Sequence, residues 1–232
     1  MVVANKSPGL VTEPGRSHRD DSLLNALVAR FGGRLLQLGE RRDYGLLHRL
    51  DRQTSGCVAV ALDPEAYDFL RARFEAREID KRYLAVVRGR PRGLPAVVER
   101  NLEERRVPAR EGTRLVSIVA RAGKPARTAV ELLATSATHA LISCEPRTGR
   151  LHQIRVHLAH LGHPIEGDPI YGPGGAVLPP QRDEPATLGL HAWRLGFAHP
   201  SGGRVEAVAP PSRKFAELLE RSGIVWISTD AP

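Results

Sequence analysis

The stretch His48-Arg-Leu-Asp-Arg-Gln-Thr-Ser-Gly56 runs directly into the apolar run Cys57-Val-Ala-Val-Ala61. The apolar run predicts a buried strand, so the polar stretch lies at one end of that strand. Asp51 stands between Arg49 and Arg52, and nearby guanidinium groups favour the ionised form of a carboxylate. Such a carboxylate can act as a nucleophile, as a metal ligand or as the acidic half of a structural ion pair, and the pattern by itself leaves all three open.

Local signals predict regular elements on both sides of this stretch. Asp63 is an N-cap residue and Pro64 a first helical residue, and together they begin a helix that ends near Arg77. The other elements predicted before residue 90 are a strand at 2–5 with a turn at 6–9, a helix at 23–31 and a strand at 83–87.

The second half of the chain also mixes strands with helices. Residues 88–128 are basic and rich in proline and glycine, and we expect an irregular surface arm with one strand at 114–120. The remaining predicted elements are strands at 128–133 and 140–144, a helix at 151–161, a long loop at 171–189 and a helix at 212–222. Because strands and helices do not alternate regularly, we predict an α+β fold.

The charge of the chain indicates the kind of partner. The 232 residues carry 34 Lys and Arg against 26 Asp and Glu, which gives a net charge of +8 and a pI near 10.2. Such a surplus predicts a polyanionic partner. Most of the cations are arginine, which can contact phosphate with two N–H groups at once. A GC-rich genome would also favour arginine over lysine, but it would not by itself produce the net excess.

Cysteine content and hydropathy narrow the class further. Cys57 and Cys144 lack zinc-ligand spacing, and two cysteines in a chain of this size fit reduced thiols in a cytosolic protein. No apolar stretch approaches the roughly 18 residues that a membrane-spanning helix requires, and the first residues lack a signal-peptide pattern. We therefore expect a cytoplasmic protein without a membrane partner.

Two further polar clusters stand out. Lys81-Arg-Tyr83 begins a predicted strand, where a tyrosine by itself usually packs in the core. Arg147-Thr-Gly-Arg-Leu-His-Gln-Ile-Arg-Val-His157 leads into the predicted helix at 151–161, on which His152 and Arg155 would share one face.

Histidines are frequent in this second cluster and raise the question of a metal site. His157, His160 and His163 are spaced by three residues, but no acidic residue lies on the predicted helix and His163 follows the expected helix end at Gly162. Neither a His-Glu-x-x-His motif nor zinc-finger spacing is present, so we predict no metal site. The Gly-x-Ser-x-Gly motif of serine hydrolases and a phosphate-binding P-loop are also absent from the sequence.

Several of these motifs together resemble one family. The motif at 48–56, Lys81-Arg-Tyr-Leu-Ala85, the motif at 147–157 and Gly162-His-Pro-Ile-Glu-Gly-Asp-Pro-Ile-Tyr-Gly172 are similar, in the same order, to the motifs of the RluA-type pseudouridine synthases. Asn5-Lys6 and Leu190-His-Ala192 resemble the opening and closing motifs. The resemblance covers about residues 2–220. It implies one catalytic domain over residues 1–232, with a curved, mostly antiparallel mixed sheet flanked by helices and a central cleft.

The resemblance also implies a reaction and its residues. The family isomerises uridine to pseudouridine in rRNA or tRNA without cofactor, energy source or metal. Asp51 matches the catalytic aspartate, which would attack uracil C6 or the ribose C1′, or assist removal of the 2′ proton. Arg155 matches the arginine that pairs with this aspartate. Tyr83 matches the tyrosine that stacks on the target base and is a candidate proton acceptor late in the reaction.

The same resemblance implies contacts with RNA. The target uridine must leave its stack to react, and Arg49 matches a position that can fill the vacated space or hold phosphate. Arg52, Lys81, Arg150 and His152, together with the basic stretch at 88–128, are the other predicted RNA-binding groups. We expect the protein to act as a monomer without an obligatory protein partner.

Three features depart from the family pattern. We expect no S4-like RNA-binding domain before Asn5, the proline at Pro8 is shifted by one place, and Glu166 stands where relatives are usually apolar. Two rival hypotheses remain: a catalytically silent RNA-binding protein of the same fold, and an unrelated metal-dependent nuclease that uses Asp51 and the histidines. The intact Asp, Tyr and Arg argue against the first, and the lack of an acidic ligand set argues against the second.

Overall fold

The computed structural model describes residues 1–15, 18–181 and 187–227. The strands, in chain order, are β1 (Val2–Lys6), β2 (Ser55–Val60), β3 (Asp80–Arg88), β4 (Ala96–Glu99), β5 (Leu102–Pro108), β6 (Thr113–Val119), β7 (Arg127–Thr135), β8 (His139–Pro146), β9 (Leu190–Ala198) and β10 (Arg204–Val208). The α-helices are α1 (Leu23–Phe31), α2 (Gly33–Leu38), α3 (Pro64–Ala76), α4 (Gln153–His160) and α5 (Arg213–Arg221).

These elements group into two compact units. The first comprises Met1–Arg82 and His191–Ser212, and the second comprises Tyr83–Leu190 and Arg213–Pro232. Strand pairing is mostly antiparallel and helices accompany the strands of both units, which confirms the α+β fold class. The assignment of residues 1–232 to a single domain stays a prediction.

The first unit is built on the strand order β1-β2-β9-β10. All pairings are antiparallel except that of β2 with β9, which run parallel where Ser55 and Gly56 face His191 and Ala192. Every residue of β2 is buried, as the apolar run predicted. Gly56 has φ +114°, and a side chain there would overlap the backbone carbonyl of Ala192. Glycine is therefore required where the Asp51 motif enters the strand.

Helices α1 and α3 confirm the local signals in the sequence. Helix α1 occupies the predicted residues, and Ser22 and Asn25 cap its first turn with reciprocal hydrogen bonds. Helix α3 begins after Asp63, whose carboxylate accepts the backbone N–H of Ala66 at 2.8 Å. It ends at Arg77, which adopts a left-handed conformation. Both helices have all their end signals within a few residues, so the sequence alone locates them.

The second unit has the antiparallel strand order β3-β8-β7-β4. Strand β3 contains the predicted run at 83–87, while β7 and β8 are the predicted pair at 128–133 and 140–144. Side chains of Ile154 and Leu158 on α4 pack onto the apolar face of these strands. Residues of α4 from Gln153 to Ala159 are all buried, so this helix has no exposed polar edge of the predicted kind.

The prediction of an irregular region at 88–128 with one strand is wrong. Strand β6 is the predicted strand, but β4 pairs with β7, and β5 and β6 form a hairpin. Leu102 and Lys124 close the base of this hairpin with two reciprocal backbone hydrogen bonds of 2.9 and 2.8 Å. We call residues 102–124 the arm. Strand β5 reads Leu-Glu-Glu-Arg-Arg-Val-Pro, and its charged residues hide the alternation that would identify a strand.

Three elements of the structure were not expected from the sequence, and two further predictions concern the end of the chain. Strands β9 and β10 and the short helix α2 were not predicted. Within the predicted loop at 171–189, Tyr171 forms an antiparallel bridge with Val177, and residues 182–186 lie outside the described part of the chain. Helix α5 confirms the last predicted helix, and Gly223 follows it with φ +65°. Among the described helices, none combines the length and apolar character needed to cross a membrane.

Candidate active site

The backbone on both sides of Asp51 is held by buried groups of the first unit. Leu50 donates its N–H to the hydroxyl of Thr12 at 3.1 Å, and that hydroxyl donates to the carbonyl of Leu50 at 2.9 Å. The carbonyl of Arg52 accepts from Lys6 at 3.1 Å and from the Gly9 N–H at 2.8 Å. Asp51 is therefore carried on a loop whose main chain is fixed one residue before and one residue after it.

Lys6 is the most unusual of these groups because its side chain is completely buried. Its ammonium donates to the carbonyls of Ser7, Leu10 and Arg52 at 3.0, 2.7 and 3.1 Å, which uses all three N–H donors. Burial lowers the pKa of Lys6 to about 8, and the negative charge of Asp51 opposes this shift. A buried positive charge therefore holds the main chain of this loop at Arg52. The sequence signal was a lysine at the end of an apolar strand, and its contact with Arg52, 46 residues along the chain, could not be predicted from spacing.

His48, the first residue of the motif, has a structural role. Its Nε2 accepts the backbone N–H of Ala59 at 3.0 Å, and its ring stacks on Phe74 with the centroids 5.1 Å apart. Burial, together with the positive charge of Lys81, lowers the pKa of His48 to about 3. The imidazole is therefore neutral at physiological pH and anchors the motif to strand β2.

Three of the predicted RNA-binding residues lie in the first unit. Arg49 is exposed, and its Nη1 lies 3.3 Å from a carboxylate oxygen of Glu13. Arg52 is exposed as well, whereas Lys81 is partly buried with its ammonium 6.0 Å from the centre of the Phe74 ring. Burial lowers the pKa of Lys81. Arg49 and Arg52 are thus the more accessible cations of the three.

A buried Ser–His pair lies where β2 runs parallel to β9. The hydroxyl of Ser55 lies 2.8 Å from Nδ1 of His191, and Nε2 of His191 lies 2.9 Å from the carbonyl oxygen of Ala209. A carbonyl can only accept, so Nε2 carries a proton. Burial lowers the pKa of His191, so the ring is neutral. Its Nδ1 then accepts a hydrogen bond from the Ser55 hydroxyl. The predicted closing motif at 190–192 therefore supports the strand that follows the Asp51 loop.

In the second unit, the predicted catalytic Arg155 lies in a buried ion pair. Its Nε and Nη2 donate to the two carboxylate oxygens of Asp168, each at 2.8 Å, and both side chains are nearly inaccessible. Asp168 was not predicted as a site residue. It lies in the Gly-Asp-Pro segment of the motif at 162–172, and only the folded chain shows that it faces helix α4.

The predicted placement of His152 on one helical face with Arg155 is wrong. His152 precedes α4 and adopts a left-handed conformation with φ +52°, which is uncommon for a residue other than glycine. Its Nδ1 lies 2.8 Å from the hydroxyl of Tyr171, which also accepts the backbone N–H of Ser117 at 3.0 Å. His152 is therefore linked to the arm as well as to the start of the helix.

Gln153 fixes the turn before α4. Its carbonyl oxygen accepts from the Thr148 hydroxyl and from the Arg150 N–H, while its amide donates to the Arg127 carbonyl and to Thr128, with donor to acceptor distances of 2.6 to 3.1 Å. All four hydrogen-bonding positions of this buried amide are used. The predicted RNA-binding Arg150 also donates from Nε to the carbonyl of Pro125 at 3.2 Å.

Tyr83 lies in strand β3 opposite Cys144. Its side chain is partly buried and packs against the apolar cluster of the second unit. This contact is compatible with core packing and leaves part of the ring accessible. The catalytic role of Tyr83 stays a prediction.

The three histidines with metal-like spacing have other contacts. The two ring nitrogens of His157 lie 2.9 Å from the Thr128 hydroxyl and 3.2 Å from the Arg100 carbonyl. His160 accepts from the guanidinium of Arg100, and His163 contacts the carbonyl of Arg88. In the part of the chain that the structure describes, no group of three or more His, Cys, Asp or Glu side chains could hold a metal ion.

The positive charge of the chain is concentrated in one segment of the second unit. Residues 88–127 contain eleven Arg and Lys against four Glu, so they contribute +7 of the net +8. Strand β5 and the turn after it supply exposed Arg105, Arg106 and Arg110, and the arm packs onto α4 through Val116 and Val156. We call residues 88–127, which include the arm, the arm region, and it carries most of the net positive charge of the chain.

Comparison with known proteins gives a consistent family. A family model described as RNA pseudouridylate synthase matches residues 1–160. An uncharacterized RNA pseudouridine synthase of Chloroflexus aurantiacus is 39% identical over 89% of this chain and 61% of its own length. The ribosomal large subunit pseudouridine synthase D of Nitrosomonas europaea is 36% identical over 88% of this chain and 57% of its own length. The chain thus spans about three fifths of these relatives.

A solved structure has the same fold. The human RNA pseudouridylate synthase domain containing 4 superposes with a TM-score of 0.74 over 97% of this chain and 90% of its own, at 24% identity. The similarity extends over both units, which confirms the fold implied by the sequence motifs.

Proposed function

The chain belongs to the RNA pseudouridylate synthase family, and from this premise we propose that it converts uridine to pseudouridine within an RNA strand. In this reaction the N1–C1′ glycosidic bond breaks, the uracil ring turns, and a C5–C1′ bond forms. The proton leaves C5 and N1 gains one, so the product has the composition of the substrate. The observation that carries the proposal is that the family model matches residues 1–160, the part of the chain that contains Asp51, Tyr83 and Arg155.

Asp51 is the proposed reactive carboxylate. It either forms a covalent bond to C1′ or C6, or assists removal of the 2′ proton, and each route needs an ionised and well-placed oxygen. The hydrogen bonds at Leu50 and Arg52 hold the loop, and the buried cation of Lys6 favours the charged form. Holding a reacting group in place lowers the entropic part of the barrier.

Tyr83 and Arg155 have the other two proposed roles. Tyr83 stacks on the target base and accepts the proton that leaves C5. Arg155 pairs with the reactive carboxylate, and its charge favours the ionised form. The partial exposure of Tyr83 and the fixed guanidinium of Arg155 support these roles.

The arm region is the proposed RNA-binding surface, together with Arg49, Arg52, Lys81, Arg150 and His152. Its net charge of +7 favours contact with phosphates, and such binding weakens steeply as salt concentration rises. The favourable contacts with the RNA backbone offset the few kcal/mol needed to flip the uridine out of its stack. Because one relative is named for the ribosomal large subunit, we propose rRNA or tRNA as the substrate class.

We also propose that the protein acts in the cytoplasm, as a monomer and without a cofactor. The two cysteines are buried thiols, which fits a reducing compartment. Sedimentation of the purified protein with and without RNA tests the monomeric state.

The test of the proposed function is the Asp51→Asn variant with RNA tritiated at uridine C5. Pseudouridine formation releases that tritium to water. We expect the variant to release it at least about 10⁴-fold more slowly, as when a nucleophile is removed from other enzymes, with RNA affinity within about twofold of the original. Asp21→Asn, which changes an exposed carboxylate of the same unit, is the matched control. Undiminished release by Asp51→Asn would contradict the assignment of the carboxylate.

The same assay separates the rival hypotheses. A silent RNA-binding protein would bind the RNA and release no tritium even with Asp51 present. A metal-dependent nuclease would shorten the RNA, and chelator would stop it. The proposed synthase leaves the RNA at full length and retains its activity in EDTA.

A further inference from the structure

We propose that Asp168 is a positioning residue for Arg155, and that the hydroxyl of Tyr171 fastens this ion pair to the arm. The proposal rests on the proposed function, because it concerns the role of Arg155 in pseudouridine formation. It gives a role to two residues of the motif at 162–172 to which the sequence analysis assigned none.

The carboxylate of Asp168 is also held by hydrogen bonds that do not involve Arg155. One of its oxygens, Oδ1, accepts the backbone N–H groups of Ile170 at 2.8 Å and Tyr171 at 3.2 Å, which form the turn that follows it. Its side chain is 1% exposed. The turn therefore determines where the two oxygens point, and Arg155 meets a carboxylate of fixed orientation.

Arg155 is held in a single plane by this carboxylate. Two parallel N–H to oxygen bonds of 2.8 Å use its Nε and Nη2, and the Tyr171 ring lies 5.3 Å from its Cζ. A buried ion pair adds little net stability compared with apolar side chains of similar volume. Orientation is what this pair provides, because a bidentate bond fixes both the position and the rotation of the guanidinium.

Tyr171 joins the ion pair to the arm. It is almost completely buried, and its hydroxyl accepts the N–H of Ser117 in β6 and lies within hydrogen-bond distance, 2.8 Å, of Nδ1 of His152. Its ring packs in the apolar cluster with Val116 of the arm and Val156 of α4. One side chain thus touches Arg155, His152 and the basic arm, so the place of the arm on helix α4 and the orientation of Arg155 depend on the same residue.

The primary experiment measures tritium release and RNA affinity for Asp168→Asn and Tyr171→Phe. We expect Asp168→Asn to lower kcat about 100-fold with Kd for RNA within about twofold, because a misplaced catalytic group costs about that factor. Tyr171→Phe keeps the ring and loses the hydroxyl. We expect it to raise Kd about fivefold, as for the loss of roughly 1 kcal/mol of hydrogen bonding, and to leave kcat within about threefold.

Two controls make the result specific to position. Glu166→Gln removes a nearby carboxylate of the same segment that pairs with Arg88 and not with Arg155, and we expect unchanged kcat. Asp168→Glu restores the charge one methylene further out, and we expect it to regain about tenfold over Asp168→Asn. A merely structural role would show as lost folding in both Asp168 variants, without rescue by the charge.

A second readout needs no activity. In the ¹⁵N spectrum of the protein without RNA, the Arg155 Nε–H, assigned by its loss in Arg155→Lys, should exchange slowly because it is buried and bonded to Asp168. Rapid exchange in the unsubstituted protein would overturn the proposal even if no Asp168 variant folds. Wild-type kcat in a folded Asp168→Asn variant would overturn it as well. If the unsubstituted protein makes no pseudouridine but this N–H exchanges slowly, the proposed function fails and the positioning of Arg155 stands.

Discussion

The Asp51 loop and the arm are supported in opposite ways. The loop is held from below by buried polar side chains, with Thr12 bonded to Leu50 and Lys6 bonded to Arg52. The arm is a hairpin whose two strands pair with each other and pack through a few apolar residues, while most of its charged side chains are exposed. The first region has fixed atoms, and the second lies within residues 88–127, which carry +7 of the net charge of +8.

We relate this difference to the proposed functions of the two regions. Chemistry at one carbon atom requires a reacting oxygen placed to within a fraction of an ångström, and so it requires buried anchors. Attraction to an RNA backbone acts over a Debye length of about 8 Å at physiological salt, and it tolerates mobile side chains. Changes to the anchors should therefore affect stability and turnover, and changes to the arm should affect affinity.

The largest effect in this comparison is expected for Lys6→Met. The substitution leaves the carbonyls of Ser7 and Leu10 without the Lys6 donor, while the carbonyl of Arg52 keeps the Gly9 N–H, and each buried acceptor without a partner costs about 1–3 kcal/mol. Relief from burying a charge offsets part of this, so we expect about 3 kcal/mol less free energy of unfolding in a urea titration. Lys214→Met on the exposed face of α5 is the matched control, with a change below about 0.5 kcal/mol. Equal changes in the two variants would remove Lys6 as an anchor.

The next largest effect is a loss of stability at acid pH, which we expect from His48 at the start of the Asp51 motif. The pKa of folded His48 is about 3, whereas an unfolded histidine has a pKa near 6.5, so only the unfolded chain gains a proton as the pH falls from 6.5 to 5. Stability is therefore lost over this range, by about 2 kcal/mol for one such group.

Replacement of this imidazole tests the origin of the acid dependence. His48→Gln retains an acceptor for the Ala59 N–H and cannot titrate, so its urea midpoint should change less between pH 6.5 and 5. Some slope should remain, because burial also lowers the pKa of His157 and His191. His18→Gln, at the surface, controls for loss of an imidazole. An unchanged slope in His48→Gln would assign the acid dependence to other groups.

The smallest effect is expected for charge reversal in the arm. The double variant Arg106→Glu and Arg110→Glu should raise Kd for RNA about tenfold at 0.1 M salt and reduce the salt dependence of log K by about one to two units per decade. Turnover at saturating RNA should stay unchanged. Arg71→Glu with Arg77→Glu makes the same change in net charge on α3. If this control weakens binding equally, net charge and not the arm governs affinity.

The sequence predicted the elements that depend on neighbouring residues, and it missed the contacts between residues distant along the chain. The ends of α1 and α3 depend on caps within three residues, and both were located correctly. Strand β5 was missed because most of its side chains are charged and exposed, so the sequence lacks the apolar alternation that predicts a strand. The strand forms by pairing with β6. The contacts of Lys6 with Arg52 and of Asp168 with Arg155 were missed because these partners are 46 and 13 residues away, and sequence spacing carries no sign of such contacts. The family motifs supplied Asp51, Tyr83 and Arg155 without that geometry.

The closed base of the arm has an evolutionary consequence. Leu102 and Lys124 bond to each other in both directions, and at Gly123 a side chain would lie only 2.5 Å from the backbone of Leu102. Exposed positions of the hairpin such as Arg106 and Arg110 can change while β4 and β7 keep their pairing, as long as Gly123 and the contacts of Val116 and Ser117 are retained. We therefore expect this base to accept hairpins of other charge, with an altered affinity for RNA as the result.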